Sequence, residues 1–163
     1  MGIIRKPSLC CDVDLINIKY PVMGFPKIDG VRIINLDGNA TDRSMMPHAN
    51  IYTTKLFSQP IYKGIDGEAG LGDKCSPSLC RDTTSALNTI QGNPDIVWYA
   101  FDFLRPDVID RPYLARYKEL EKFIKEQKPD GVKIVPYKLI HNEAELMLYY
   151  RQCLDMGYEG AVY

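Results

Sequence analysis

The run from Asp95 to Leu104 constrains the fold more than any other stretch. It gathers Ile96, Val97, Trp98, Tyr99 and Phe101 into one short segment. A run of this kind reads as a central, largely buried strand, with Trp98 in the core. The chain before it is punctuated by Gly, Pro and Asp, with short β-branched runs between them. Three of these runs read as strands: Val22 to Lys27, Val31 to Leu36, and Ile61 to Gly67. Asp37-Gly38 supplies a hairpin turn after the second.

Helical spacing is clearest after the central strand. Pro112 suits a first helical position, and Tyr113, Leu114, Tyr117, Leu120, Phe123 and Ile124 follow at helical intervals. Asn142 and Glu145 form a capping-box pattern ahead of Leu146, Met147, Tyr150, Cys153 and Leu154, and Gly157 ends that helix. A strand from Val132 to Leu139 is expected between the two helices, and a short helix from Asp82 to Ile90. The expected fold class is α+β, with mostly antiparallel sheets flanked by helices. The sequence ends on Gly160-Ala161-Val162-Tyr163, which reads as the opening of a strand, so a domain incomplete at its C-terminus is expected.

Composition narrows the class further. The 163 residues are 45% hydrophobic and 25% charged, which is ordinary for one globular domain and argues against disorder or a fibrous repeat. No apolar run approaches the ~20 residues of a membrane span, and the N-terminus turns acidic before a signal-peptide core could form. A soluble intracellular chain is expected. Twenty basic residues against 21 acidic ones leave a net charge of −1, without the bulk positive field of most DNA-gripping proteins. Residues 1–63 carry 8 basic and 5 acidic side chains, so a polyanion is expected to meet this part first. Of the five cysteines, adjacent Cys10 and Cys11 and the widely spaced Cys75 and Cys80 are poor matches to zinc knuckles. Reduced thiols fit better, as they do for Cys153. His48 and His141 offer no catalytic geometry and read as loop or surface residues.

Four stretches carry chemistry. Pro26-Lys27-Ile28-Asp29-Gly30-Val31-Arg32 places a lysine at a strand end, with a glycine bend after it and opposite charges around it. Burial or neighbouring cations can make such a lysine a nucleophile, although a surface hairpin would look the same in sequence. Gly64-Ile65-Asp66-Gly67-Glu68-Ala69 sets an acid beside glycines, suited to a ribose hydroxyl or a metal ion. In Tyr99-Ala100-Phe101-Asp102-Phe103, alternation puts the three aromatic residues on one face, as core or as a platform for a base. Gly157-Tyr158-Glu159-Gly160-Ala161-Val162 sets another acid at the start of a strand.

The order KxDGxR, Arg43-Ser44, DGE, an aromatic strand ending FDFL, and EGAVY resembles the covalent nucleotidyltransferase superfamily. The likeness is strongest to the small ATP-dependent DNA ligases of bacteriophages, over nearly the whole chain from about Tyr20 to Tyr163. The resemblance implies an ATP-grasp-like nucleotidyltransferase (adenylation) domain spanning 1–163. Lys27 matches the family nucleophile, which attacks the α-phosphate of ATP, expels pyrophosphate and forms lysyl-AMP. Asp29 would orient the site or its metal, and Arg32 and Arg43 match arginines that contact the nucleotide or the nicked strand. Glu68 matches the acid that binds ribose, Phe101 the aromatic residue that stacks on the purine, and Glu159 the acid that supports the catalytic magnesium. ATP and Mg2+ are the implied cofactors. Nicked double-stranded DNA is the implied partner, in replication and repair, and the cytoplasm (of the host, if phage-encoded) the implied location.

The sequence departs from the family pattern in two places. Many ligases carry an acid two positions before the nucleophile, where it helps to read adenine; here that residue is Phe25. The strand bearing two lysines that bind the triphosphate, and the oligonucleotide-binding barrel after it, have no counterpart in these residues. The chain as written is therefore expected to adenylate poorly alone, or to work with a second chain or protein partner that supplies or replaces the C-terminal part. Two readings compete with the ligase: a ligase-like binding protein that has lost turnover, and an RNA-capping-type guanylyltransferase, which shares KxDGxR.

Overall fold

The structure is a computed structural model, and it describes residues 7–12 and 14–163. Eight strands and four helices follow in the order β1 (Val22–Lys27), β2 (Val31–Asn35), β3 (Ala40–Thr41), α1 (Ile51–Phe57), β4 (Ile65–Leu71), α2 (Leu79–Asn88), β5 (Ile96–Phe103), α3 (Tyr113–Gln127), β6 (Val132–Ile134), β7 (Lys138–Ile140), α4 (Glu143–Asp155) and β8 (Gly160–Val162). The strands form two sheets. One has the order β7-β1-β8 and the other β3-β2-β4-β5-β6. Every pairing is antiparallel except β5 with β6, which α3 joins as a crossover helix. The α+β expectation holds, and residues 28–30 are the passage from the first sheet to the second.

Two cores meet at the larger sheet. Ile33, Ile65, Trp98, Ala100 and Phe103 face one core, closed by Phe57 of α1, Leu87 of α2 and Leu120 of α3. Tyr99 and the half-buried Val97 and Phe101 face the other, which holds Phe25, Ile28, Leu79, Tyr117, Val135, Cys153 and Tyr158. Residues 96 to 101 thus alternate between two apolar layers. Strand β5 is covered on both sides, which explains its nearly unbroken apolar character. Trp98 is fully buried against Phe57 and Tyr62, at ring separations of 5.0 and 6.2 Å.

Several boundaries differ from the sequence expectation. The strand expected over Ile61 to Gly67 begins only at Ile65, because Pro60–Tyr62 forms a 3-10 turn and Gly64 sits at φ 88°. The strand expected over Val132 to Leu139 is two strands in different sheets. Pro136 lies between them, and it has no N–H to continue a ladder. The short helix starts earlier, at Leu79, and ends at Asn88. Helix α1, capped by Asn50 accepting from the Thr53 N–H, is an element the periodicity did not reveal. The Asn142 cap forms as expected, with its side chain accepting from the Glu145 N–H. Glu145 accepts in return from the His141 N–H, one residue earlier than in the standard box. The terminal residues do form a strand, and β8 finds its neighbour in β1. Among the described residues no helix is long and apolar enough to cross a membrane.

Candidate active site

The site forms where β1 hands the chain to β2. Lys27 is the last residue of β1 and lies opposite Gly160 of β8, and the Glu159 N–H donates to the Lys27 carbonyl. This main-chain clamp brings the two side chains together, and Lys27 Nζ pairs with Glu159 Oε1. Ile28 is buried in the second core and anchors the loop, which leaves Asp29 exposed beyond it. At Gly30 an added Cβ would run into the Ala69 carbonyl oxygen. The bend therefore needs glycine for the close approach of β4.

Strand β2 then places Arg32 directly opposite Glu68 of β4. The Arg32 guanidinium donates twice to Asp66, at 2.6 and 2.8 Å, and once to the Ser8 carbonyl at 3.3 Å. It also lies over the Phe101 ring, 4.7 Å from the centroid. Burial opposes the Arg32 charge, but the hydrogen bonds and charge of Asp66 outweigh it and raise the guanidinium pKa. Burial likewise dominates at Glu68, whose carboxyl is pushed up to about 7. There the attraction of Arg32 and Lys27 opposes burial, while Asp66 and Asp29 reinforce it. Glu68 thus senses both the Lys27–Asp29 loop and Arg32.

The aromatic strand departs from simple alternation. Asp66 pairs with Asp102, but the next residue of β4, Gly67, pairs with Ala100. Phe101 is the extra residue of a β-bulge. The shift sends Phe103 into the first core while Tyr99 and Phe101 face the second, so the three aromatic residues do not share a face as the sequence suggested. Gly67 is needed here for the same reason as Gly30, since a Cβ would meet the Tyr99 carbonyl oxygen.

Six of the seven expected site residues converge: Lys27, Asp29, Arg32, Glu68, Phe101 and Glu159. Arg43 does not join them. It is exposed in the turn after β3, whose shape is set by Asp42 accepting from the Ser44 and Met46 N–H groups. Phe25 is buried against Tyr113, Tyr117 and Tyr137, with ring centroids 5.9, 5.6 and 6.0 Å away. His48 is half-buried against the Arg32 carbonyl, 3.3 Å away, and burial lowers its pKa. All five cysteines are free, and no three His, Cys, Asp or Glu side chains among the described residues cluster around a common point.

Sequence reasoning assigned no role to Asp102, Arg116 or Tyr113. Arg116 of α3 donates twice to Asp102, both at 2.8 Å, and Tyr113 donates to the Phe101 carbonyl at 2.7 Å. A signal was present, since an acid inside the apolar run FDFL must find a partner if it is buried.

Comparison with known proteins bears on the fold. No protein-family model matches the chain, and no curated protein matches it in sequence. Among solved structures, the Chlorella virus DNA ligase-adenylate superimposes with a TM-score of 0.79 at 27% identity, over 98% of this chain and 60% of that one. A Lig E DNA ligase, from work on DNA binding with a minimal scaffold, gives a TM-score of 0.76 at 18% identity, over 98% and 61%. The ATP-dependent DNA ligase of bacteriophage T7, in complex with ATP, gives 0.61 at 15%, over 85% and 55%. The chain has the nucleotidyltransferase-domain fold of the ATP-dependent DNA ligases. It spans about 60% of the length of the Chlorella virus and Lig E enzymes.

Proposed function

We propose that this chain performs the adenylation chemistry of an ATP-dependent DNA ligase. Lys27 Nζ attacks the α-phosphate of ATP; the new P–N bond forms as the bond to pyrophosphate breaks, which leaves lysyl-AMP. The AMP then passes to the 5′-phosphate of nicked DNA, and the 3′-hydroxyl of the nick displaces it to seal the strand. The observation that carries the reading is the pairing of Lys27 with Glu159 through the β1–β8 register, beside Arg32, Glu68 and Phe101.

Each residue has a task that suits its surroundings. Glu159 restrains the amine. Arg32, held charged by Asp66, spreads phosphate charge, since transfers of this class depend on positioning and cations. Glu68 takes a ribose hydroxyl, and Phe101 lies under the base. A single carboxylate beside the nucleophile fits Mg2+, which is commonly held by one or two carboxylates together with substrate phosphates. Glu159 would hold that ion, whose chemistry is to offset charge on the triphosphate. Exposed Asp29 would orient the phosphates or the ion, and Arg43 would meet the nucleic acid from the rim.

The test is incubation with α-labelled ATP and magnesium, denaturing electrophoresis, and Lys27→Ala alongside. An acid-labile label lost in the variant is the expected result. A folded chain that takes no label, or a variant that labels equally, overturns the reading. A preference for labelled GTP would move the assignment to a capping-type enzyme.

A further inference from the structure

The base of the site is wired to α3 in a way that the proposed reaction leaves unused. Phe101 is gripped at three points. Its ring carries the Arg32 guanidinium, its carbonyl accepts from the Tyr113 hydroxyl, and its backbone forms the bulge beside a cross-strand pair of buried acids. Those acids, Asp66 and Asp102, are only 2% and 7% exposed, and each is held by its own arginine. Arg116 is fastened further by donating to the Arg111 carbonyl at 2.8 Å, and it lies over the Tyr113 ring at 5.4 Å. Asp102 in turn accepts from the Phe103 N–H at 2.7 Å, which fixes the backbone just past the bulge.

From this we infer that Tyr113 and Arg116 are positioning residues for nucleotide binding. They act through Phe101 and Asp102 and touch no substrate themselves. A bulged residue lacks the ladder bonds that normally fix a strand side chain, so its ring angle depends on whatever holds its backbone. Here the first turn of α3 does so. Tyr113 is well suited to it, because burial drives its pKa far up and keeps the hydroxyl a permanent donor. Bidentate Arg116 then sets where the helix start sits relative to β5, a geometry that lysine cannot reproduce.

The inference rests on the proposed adenylation site, and its test separates the two. The dissociation constant for ATP is measured by titration calorimetry for Lys27→Ala and for Tyr113→Phe and Arg116→Lys made in that background, with labelling rates at saturating ATP for the same changes in the chain that keeps Lys27, and melting temperatures alongside. Loss of one neutral hydrogen bond at the platform is expected to weaken ATP binding by about fivefold in Tyr113→Phe. The labelling rate at saturation should stay close to that of the unmodified chain, and the melting temperature should fall by no more than the few degrees that one lost hydrogen bond accounts for. Arg116→Lys is expected to weaken binding more. If both variants hold ATP as tightly as Lys27→Ala alone, or lose affinity only in step with a melting temperature that falls further than these few degrees, the inference is overturned. Failure of the unmodified chain to label Lys27 overturns the adenylation reading instead, because the binding comparison needs no turnover.

Discussion

Asp66 and Asp102 face each other across β4 and β5, two buried carboxylates on neighbouring strands. Arg32 reaches one from β2 and Arg116 reaches the other from α3. Like charges placed this way repel, so the pair is tolerable only while each carboxylate keeps a cationic partner. The sheet is thus tied to a strand on one side and a helix on the other at the point where the site lies.

Removing one arginine leaves a buried charge uncompensated. Arg32→Ala is expected to destabilise the fold by about 3–5 kcal/mol, read as a lower midpoint in urea denaturation. The exposed pair Arg111–Glu119 is the control, at 49% and 42% side-chain exposure. Arg111→Ala should cost under about 1 kcal/mol.

Glu159 is expected to matter for chemistry rather than for folding, since its side chain is 46% exposed. Glu159→Ala should lower the rate of Lys27 labelling by about a hundredfold while leaving the melting temperature nearly unchanged. A variant that labels at the normal rate would remove Glu159 from the reaction.

Glu68 gives stability a pH dependence whose sign follows from burial. Its carboxyl is raised from 4.5 to about 7 in the folded chain. Between those values the folded state keeps a proton that the unfolded chain has released. Stability is therefore fully present below about pH 4.5 and declines as pH rises to about 7. Glu68→Gln should remove this contribution to the slope, as measured by denaturant midpoints across the pH range.

Gly30 and Gly67 are held to glycine by the backbone of a neighbouring strand and not by a positive φ. Gly67→Ala should push β4 from β5 and cost roughly 1–3 kcal/mol. ATP binding should weaken with it, because Phe101 sits at the same bulge. At Gly38, where nothing lies within 4 Å, the space for a methyl exists and the strain comes from φ 99° alone. The two kinds of substitution are compared by thermal melting and by ATP titration.

Much of this was legible in the residues. Strand β1 falls where its β-branched and aromatic pattern puts it, and helix α4 begins at the cap that Asn142 announces. The pairing of Lys27 with Glu159 follows from motifs nearly a chain length apart, which local patterns could not join without the family resemblance. The bulge at Phe101 was hidden, since a strand with one extra residue looks in sequence like a strand without it. The break at Pro136 is readable, because proline has no N–H to continue a ladder. Arg116 gave no local sign of its role, because an arginine in an amphipathic helix is ordinarily a solvated one. Arg43 is exposed in the turn after β3, and its place in the motif order alone does not say which neighbours it has.

The pairing of β8 with β1 also governs when the site comes into being. β1 is synthesised long before β8, so Lys27 leaves the ribosome well ahead of Glu159. Contacts so distant in sequence close late in folding. On translation products that end between Lys27 and Glu159 the amine is present without its carboxylate, and the pair is assembled only once β8 has been made.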